Sequence, residues 1–170
     1  MPASPDDLFA YLDLLGLGHE TRWHEATFTV EEGRELKETM PGGHTKNLFM
    51  KDKDGVIVLI SAHADSELKL NQLHKLIGTR RLSFASAELM VDLLGVTPGS
   101  VTAFALINDR AGKVRFIVDA ALMEHDPINF HPLINTGTTA ISRNDYRKFV
   151  AATGHELTEV DFRTLLDANA

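Results

Sequence analysis

Apolar residues recur at helical spacing in some stretches and cluster in short β-forming runs in others, and the two patterns alternate along the chain. Leu8, Leu12 and Leu15 lie behind Ser4 or Asp6 as capping residues, which predicts a helix to about Gly16. His19 to Glu25 reads as a short strand. Thr29-Val30-Glu31-Glu32 carries a capping-box pattern, so a helix is expected from Val30 to about Met40, stopped by Pro41-Gly42-Gly43. A strong hairpin signal follows: Lys46–Met50, the turn Asp52-Lys53-Asp54-Gly55, then Val56–Ala62.

Asp65 to Gly78 is expected to be helical, with Leu68, Leu73, Leu76 and Ile77 on one face and Gly78 as terminator. Arg81 to Ala85 reads as a short strand, and Ser86 caps a helix through Leu94. Gly95-Val96-Thr97-Pro98-Gly99-Ser100 is a loop rich in breakers. Val101–Asn108 and Val114–Leu122 are expected to pair as a second hairpin about Asp109-Arg110-Ala111-Gly112. Asn129–Ile134 reads as irregular, Thr138–Ile141 as a strand, and Ser142 with Asp145 as the cap of a helix over Asn144–Thr153. A final strand or short helix pair closes the chain. Strands and helices are interspersed and hairpins supply much of the sheet. The expected class is therefore a mixed α/β, α+β-like domain rather than a doubly wound parallel sheet. No repeat, low-complexity segment or linker interrupts the 170 residues, so residues 1–170 read as a single domain.

Composition narrows the function classes. No apolar run approaches the roughly 18 residues that span a membrane. The start, Met1-Pro2-Ala3-Ser4-Pro5-Asp6-Asp7, lacks an apolar signal core, which argues against secretion and for a cytoplasmic location. With no cysteine, disulfides, thiol nucleophiles and zinc-thiolate sites are excluded. A net charge of −7 argues against a general duplex-DNA binder. Lys69, Lys75, Arg80 and Arg81 could still form a local basic rim for an RNA end, or be a solvated helix face and its exit. The eight histidines include no His-x-x-x-His pair, so no metal site is expected. Nucleophile-elbow, phosphate-loop and dinucleotide fingerprints are absent, and no cofactor is expected. Glu31-Glu32, Asp65 and Glu67 read as charges at helix N-termini.

Three segments carry candidate chemistry. In Thr45-Lys46-Asn47-Leu48 a lysine stands where a strand turns apolar. It either snorkels to solvent or supplies positive charge to a pocket, for a phosphate or a developing oxyanion. In a regular strand Lys46 and Asn47 point to opposite faces. In Gly95–Ser100 the glycines permit close backbone approach to a ligand and Pro98 stiffens the turn, although Gly95 also suits a helix C-cap. In Asn129-Phe130-His131-Pro132-Leu133-Ile134-Asn135-Thr136, Pro132 biases His131 to an extended backbone and so gives the imidazole a defined direction.

These three segments, in this order and spacing, resemble the editing domain inserted in bacterial prolyl-tRNA synthetases and, more closely, its free-standing relatives, the YbaK/ProX aminoacyl-tRNA deacylases. The resemblance covers nearly the whole chain in element order. It implies the editing-domain fold, a mixed sheet surrounded by helices, and the hydrolysis of a mischarged aminoacyl-tRNA, with Ala-tRNA(Pro) as the expected substrate. It implies Lys46, Asn47 and His131 as the catalytic set. The Gly95, Thr97, Pro98, Gly99 and Ser100 loop would hold the terminal ribose and ester, with Asn135 also on the substrate. Phe28, Val30 and Phe49 would wall the pocket. Water would attack the ester without a protein-bound intermediate, helped by the ribose 2′-hydroxyl. The implied partners are the tRNA(Pro) acceptor end carrying a non-cognate amino acid and prolyl-tRNA synthetase, with no membrane and no duplex DNA. The logic is a double sieve: a methylene is worth only about 1–3 kcal/mol, so a synthetase for proline cannot fully exclude alanine and a second, smaller pocket removes the error. Alternatives are a Cys-tRNA or Ser-tRNA deacylase, a noncatalytic nucleic-acid binder, and a module that only docks to a synthetase.

Overall fold

A computed structural model describes residues 1–26 and 30–167. Helix α1 (Pro5–Leu14) starts on a reciprocal capping box, in which the Ser4 hydroxyl accepts from the Asp7 amide and the Asp7 carboxylate accepts from the Ser4 amide. Strand β1 (His19–Trp23) and helix α2 (Val30–Thr39) follow. The capping Thr29 and the pocket residue Phe28 lie outside the described residues. Between α2 and the next strand, Gly42 adopts φ +102°, and a Cβ there would sit 2.1 Å from the Pro127 carbonyl oxygen, so only glycine fits this crossing.

The hairpin forms as read, with β2 (Gly43–Lys51) antiparallel to β3 (Ile57–His63). Its turn is held by Asp52, whose Oδ1 accepts from the Asp54 and Val56 amides at 2.9 Å each. Beyond β3 the structure departs from expectation. Helix is confined to α3 (His74–Ile77), and residues 65–73 are a turn-rich loop. The reason is long-range: Ser66 is tied to Asp119, and Asp65 N–H donates to His63 Nδ1, so the segment's first turn bonds elsewhere than a helix requires. Then come β4 (Ser83–Phe84), α4 (Ala87–Leu94, capped by Ser86 as read) and β5 (Val114–Asp119).

The expected second hairpin does not form. Ala103–Asn108 is a 3-10 helix opened by Thr102, whose hydroxyl accepts from the Phe104 amide. Ala103 to Leu106 are all buried, so this run lacks the two-faced alternation of a half-buried strand. Strand β5 instead pairs parallel to β3. Residues read as irregular contribute β6 (Ile128–Phe130), which pairs with β7 (Gly137–Ile141). Helix α5 (Arg143–Ala152), β8 (Leu157–Val160) and α6 (Thr164–Asp167) close the described chain.

The mixed sheet runs β1-β7-β6-β2-β3-β5-β8, with β4 also on β2. One face buries Leu8 and Leu12 of α1, Leu94 of α4, Phe104, and Tyr146 and Phe149 of α5 against Phe49 and Phe116. The other packs Leu73 and Ile77 with Phe162 and Leu165 over Met50, Ile60 and Ile117. Helices thus cover both faces of the sheet, the arrangement a mixed sheet needs to bury its apolar sides.

One discontinuity matters for function. On the edge of β2 away from β3, Gly43 and His44 pair with Ile128 and Asn129 of β6. Met50 and Lys51 pair with Phe84 and Ser83 of β4. Among the described residues no strand pairs with Thr45–Leu48 on that edge. The sheet parts there.

Candidate active site in the parting of the sheet

A cavity of about 140 Å³ opens at this parting. Its lining comes from Thr45 and His44 of β2, Asn129 and Phe130 of β6, His131, Thr138 of β7, and Leu36 and Lys37 of α2. Thr45 bridges the gap: its hydroxyl donates to the Asn129 carbonyl at 2.8 Å, just past the last backbone pair of β2 with β6.

Behind Thr45 lies a directed chain of polar side chains. Ser61 donates its hydroxyl hydrogen to Asn47 Oδ1, and Asn47 Nδ2 donates to Thr45 Oγ1 at 3.4 Å. Ser61 and Asn47 are register partners across β2 and β3, so the chain follows from the strand pairing. Asn47 therefore spends both ends of its carboxamide inside the sheet, where it orients Thr45. Lys46 leaves β2 on the opposite face, as strand alternation requires, and its ammonium donates to the Ser66 carbonyl in the loop after β3. Among the described side chains, which do not include those of residues 30–33, Lys46 meets no carboxylate within ion-pair range. Lys37 reaches the same loop, 3.8 Å from Asp65.

His131 follows β6 directly. Its Nδ1 lies 3.0 Å from the Gly137 carbonyl. A carbonyl only accepts, so Nδ1 carries the hydrogen and the neutral ring presents a lone pair at Nε2. Burial pushes the imidazole below the ordinary histidine range, and the nearby His24 adds to this against the opposing bond to Gly137. His44 is also held below that range, chiefly by burial, and bonds the Met40 carbonyl through Nε2 at 2.9 Å. The two cavity histidines are thus neutral donors and acceptors near pH 7. The loop beyond His131 bends through Leu133, which holds φ +70° in a left-handed conformation that a branched side chain seldom adopts, with its side chain largely buried.

Other sequence-based expectations take different places. Phe49 is 2 % exposed and belongs to the core beneath the sheet rather than to the cavity wall. Val30 begins α2, the helix whose Leu36 and Lys37 overlie the cavity. Gly95 is the left-handed C-cap of α4, and a Cβ there would meet Pro2 Cβ at 2.5 Å and Asn108 Nδ2 at 2.8 Å, so packing explains it. Thr97 and Pro98 are exposed, while Ser100 is buried and closes a turn by donating its amide to the Thr97 carbonyl. Gly99 brings this loop alongside the one after His131, since a Cβ on it would stand 3.8 Å from Asn135 Nδ2. Arg80 of the expected basic rim is exposed and pairs with Asp54 at 3.3 Å. Sequence reasoning missed Lys37, His44 and Thr138 and gave Asn129 no role of its own within its segment; the four are scattered along the chain and meet through the β2–β6–β7 pairing. Among the described residues no three His, Asp or Glu side chains cluster in a metal-binding arrangement.

The family model for the aminoacyl-tRNA editing domain matches residues 24–149, a span that holds every residue lining the cavity. The chain belongs to the aminoacyl-tRNA editing domain family. Within it, the chain is of the YbaK/ProX type. It is 30% identical over 155 residues to the prolyl-tRNA editing protein ProX of Acetoanaerobium sticklandii, covering 91% of this chain and 94% of that protein. It is 36% identical over 150 residues to the prolyl-tRNA synthetase associated domain-containing protein 1 of Mus musculus, covering 85% and 88%. A crystal structure described as "a putative trans-editing enzyme for prolyl tRNA synthetase" has the same fold, with a TM-score of 0.68 at 16% identity over 95% of this chain and 99% of that one. In this editing domain the cavity therefore sits where the sheet opens, between two strands far apart in sequence.

Proposed function

We propose that the protein hydrolyses mischarged aminoacyl-tRNA in trans, with Ala-tRNA(Pro) as its substrate, releasing alanine and free tRNA. The observation that carries this reading is the small cavity at the sheet parting, with a neutral imidazole in its wall and a lysine, held by the Ser66 carbonyl, one residue beyond Thr45. The cavity is small, about 140 Å³. An alanyl group has two non-hydrogen atoms fewer than a prolyl group, and a small pocket suits the smaller ester. The kinship to a protein named for prolyl-tRNA editing supports the choice of tRNA.

In this reading His131 accepts a hydrogen bond at Nε2 from the aminoacyl ammonium and so sets the ester's position. Lys46 places positive charge at the RNA 3′ end, against the terminal phosphate or the oxyanion that develops on the ester. Asn47 acts through Thr45, and the paired loops at Gly99 and Asn135 bear on the terminal ribose. Water attacks the carbonyl carbon, the carbon–oxygen bond to the ribose breaks, and the departing ribose oxygen takes the proton that the water gives up. The protein contributes position and electrostatics, and no metal. The test is to charge one tRNA(Pro) with alanine, cysteine, serine and proline in turn and follow ester loss with and without the protein. Ala-tRNA(Pro) should be cleared fastest and Pro-tRNA(Pro) spared. Equal, protein-independent rates for all four would refute the enzymatic reading, and a preference for the cysteinyl or seryl ester would reassign the substrate.

A further inference from the structure

Lys46 has a long, flexible side chain, yet its ammonium has a defined acceptor, the Ser66 carbonyl. Ser66 lies in the turn-rich loop after β3, outside any strand or helix, so something else must hold that carbonyl in place. The holder is Asp119, the last residue of β5, which is 1 % exposed. Its Oδ2 accepts from the Ser66 hydroxyl at 2.5 Å and from the His63 amide at 3.1 Å, and its Oδ1 accepts from the Ala121 amide at 3.0 Å. The Ser66 amide in turn donates to the His63 carbonyl at 3.0 Å. Ser66 is thereby gripped at its hydroxyl and its amide, which leaves its carbonyl as the group turned to Lys46.

This arrangement solves a specific problem. A carboxylate touching the lysine would fix it but cancel its field. A carbonyl fixes the ammonium and leaves a full positive charge for an anion. The Asp119 carboxylate grips the Ser66 hydroxyl rather than the ammonium, and so stiffens the loop. The placement matters because a misplacement of about 1 Å in a reacting geometry can cost about 100-fold in rate.

We propose that Ser66 and Asp119 are positioning residues for Lys46, the buried carboxylate locking the Ser66 loop so that its backbone carbonyl aims the lysine ammonium at the RNA 3′ end. The inference rests on the role given to Lys46 above. The test uses single-turnover hydrolysis of Ala-tRNA(Pro) at high protein concentration, with Ser66→Ala, Ser66→Thr and Asp119→Asn, each also made with Lys46→Ala. Urea unfolding confirms that each variant is folded. Ser66→Ala should lower the maximal rate about tenfold with half-saturation changed less than twofold. Ser66→Thr, which keeps the hydroxyl, should recover most of the rate. In the Lys46→Ala background Ser66→Ala should add no more than a twofold loss, because the group it aims is gone. A tenfold loss in both backgrounds, or a folded Ser66→Ala at parental rate, would overturn the positioning role while leaving Lys46 in place. Should Lys46→Ala itself hydrolyse at the parental rate, the role of Lys46 falls and this inference with it. If Asp119→Asn does not fold, the two Ser66 variants still decide the matter, since they leave the carboxylate its backbone donors.

Discussion

Thr45 donates its hydroxyl hydrogen to the Asn129 carbonyl at 2.8 Å across the opening between two parallel strands. Thr45→Val keeps the shape and removes that bond, and it also leaves Asn47 Nδ2 without its acceptor. Urea unfolding should show a loss of about 1–3 kcal/mol, the cost of leaving a buried donor unsatisfied. Deacylation should fall more steeply than stability, because the bond sets the width of the cavity. An unchanged unfolding midpoint would mean the hydroxyl is idle.

Lys46 separates charge from fold. Removing a partly exposed surface lysine should change stability by no more than about 0.5 kcal/mol. Loss of an electrostatic donor in a site raises the barrier by about 2.7–4 kcal/mol, a hundredfold or more in rate. Lys46→Ala should therefore fold normally and lose most activity. Lys46→Arg keeps the charge but not the compact ammonium that the Ser66 carbonyl holds, and it should restore little. Activity of Lys46→Ala within about twofold of the parent, well inside the 1.4 kcal/mol of a tenfold change, would place the site elsewhere.

Mild acid should weaken the fold through its buried histidines. His44, His63 and His131 are each held below the ordinary histidine pKa of 6.5, chiefly by burial. His63 also stacks on His125, ring centroids 4.5 Å apart, and that neighbour's charge opposes its own. The unfolded chain binds protons at these positions at a higher pH than the folded one, so stability rises with pH through this range. The stability is complete above about pH 7. It should decline as pH falls through 6.5 and go on declining until the depressed folded values are passed. Urea midpoints between pH 7.5 and 5 check this. Midpoints that rise on acidification would contradict it.

Chelation gives a simpler check. Incubation with a strong chelator followed by buffer exchange should leave Ala-tRNA(Pro) hydrolysis unchanged. Activity lost to the chelator and restored by zinc would reveal a ligand set that the described residues do not display.

The elements that could be read from sequence are those whose signals are local. Ser4 with Asp7, Ser86, and Ser142 with Asp145 start their helices by bonding amides within one turn. The Asp52 turn is likewise written in neighbouring residues. What escaped was decided at a distance. Leu68 to Ile77 has helical spacing, yet Asp119, 53 positions beyond Ser66, claims the start of that segment. Val101 to Asn108 is rich in apolar residues but Thr102 to Leu106 are all buried, and a run of that kind does not distinguish a strand from a helical turn. The site divides in the same way. Lys46, Asn47 and His131 stand in recognisable short segments, whereas Lys37, His44 and Thr138 acquire meaning only when the strands are paired. Phe49 and Gly95 lie in those same segments and turned out to serve packing.

The opening between β2 and β6 also bears on how the protein comes to life on the ribosome. Its walls are joined by a contact between residues 84 positions apart. The pairing that shapes it is parallel and non-local, the kind that forms slowly because a long loop must close first. A growing chain that has already exposed Lys46 holds no pocket at all. The cavity would be complete only once β6 has paired with β2, and a copy released before that pairing would lack one of its walls.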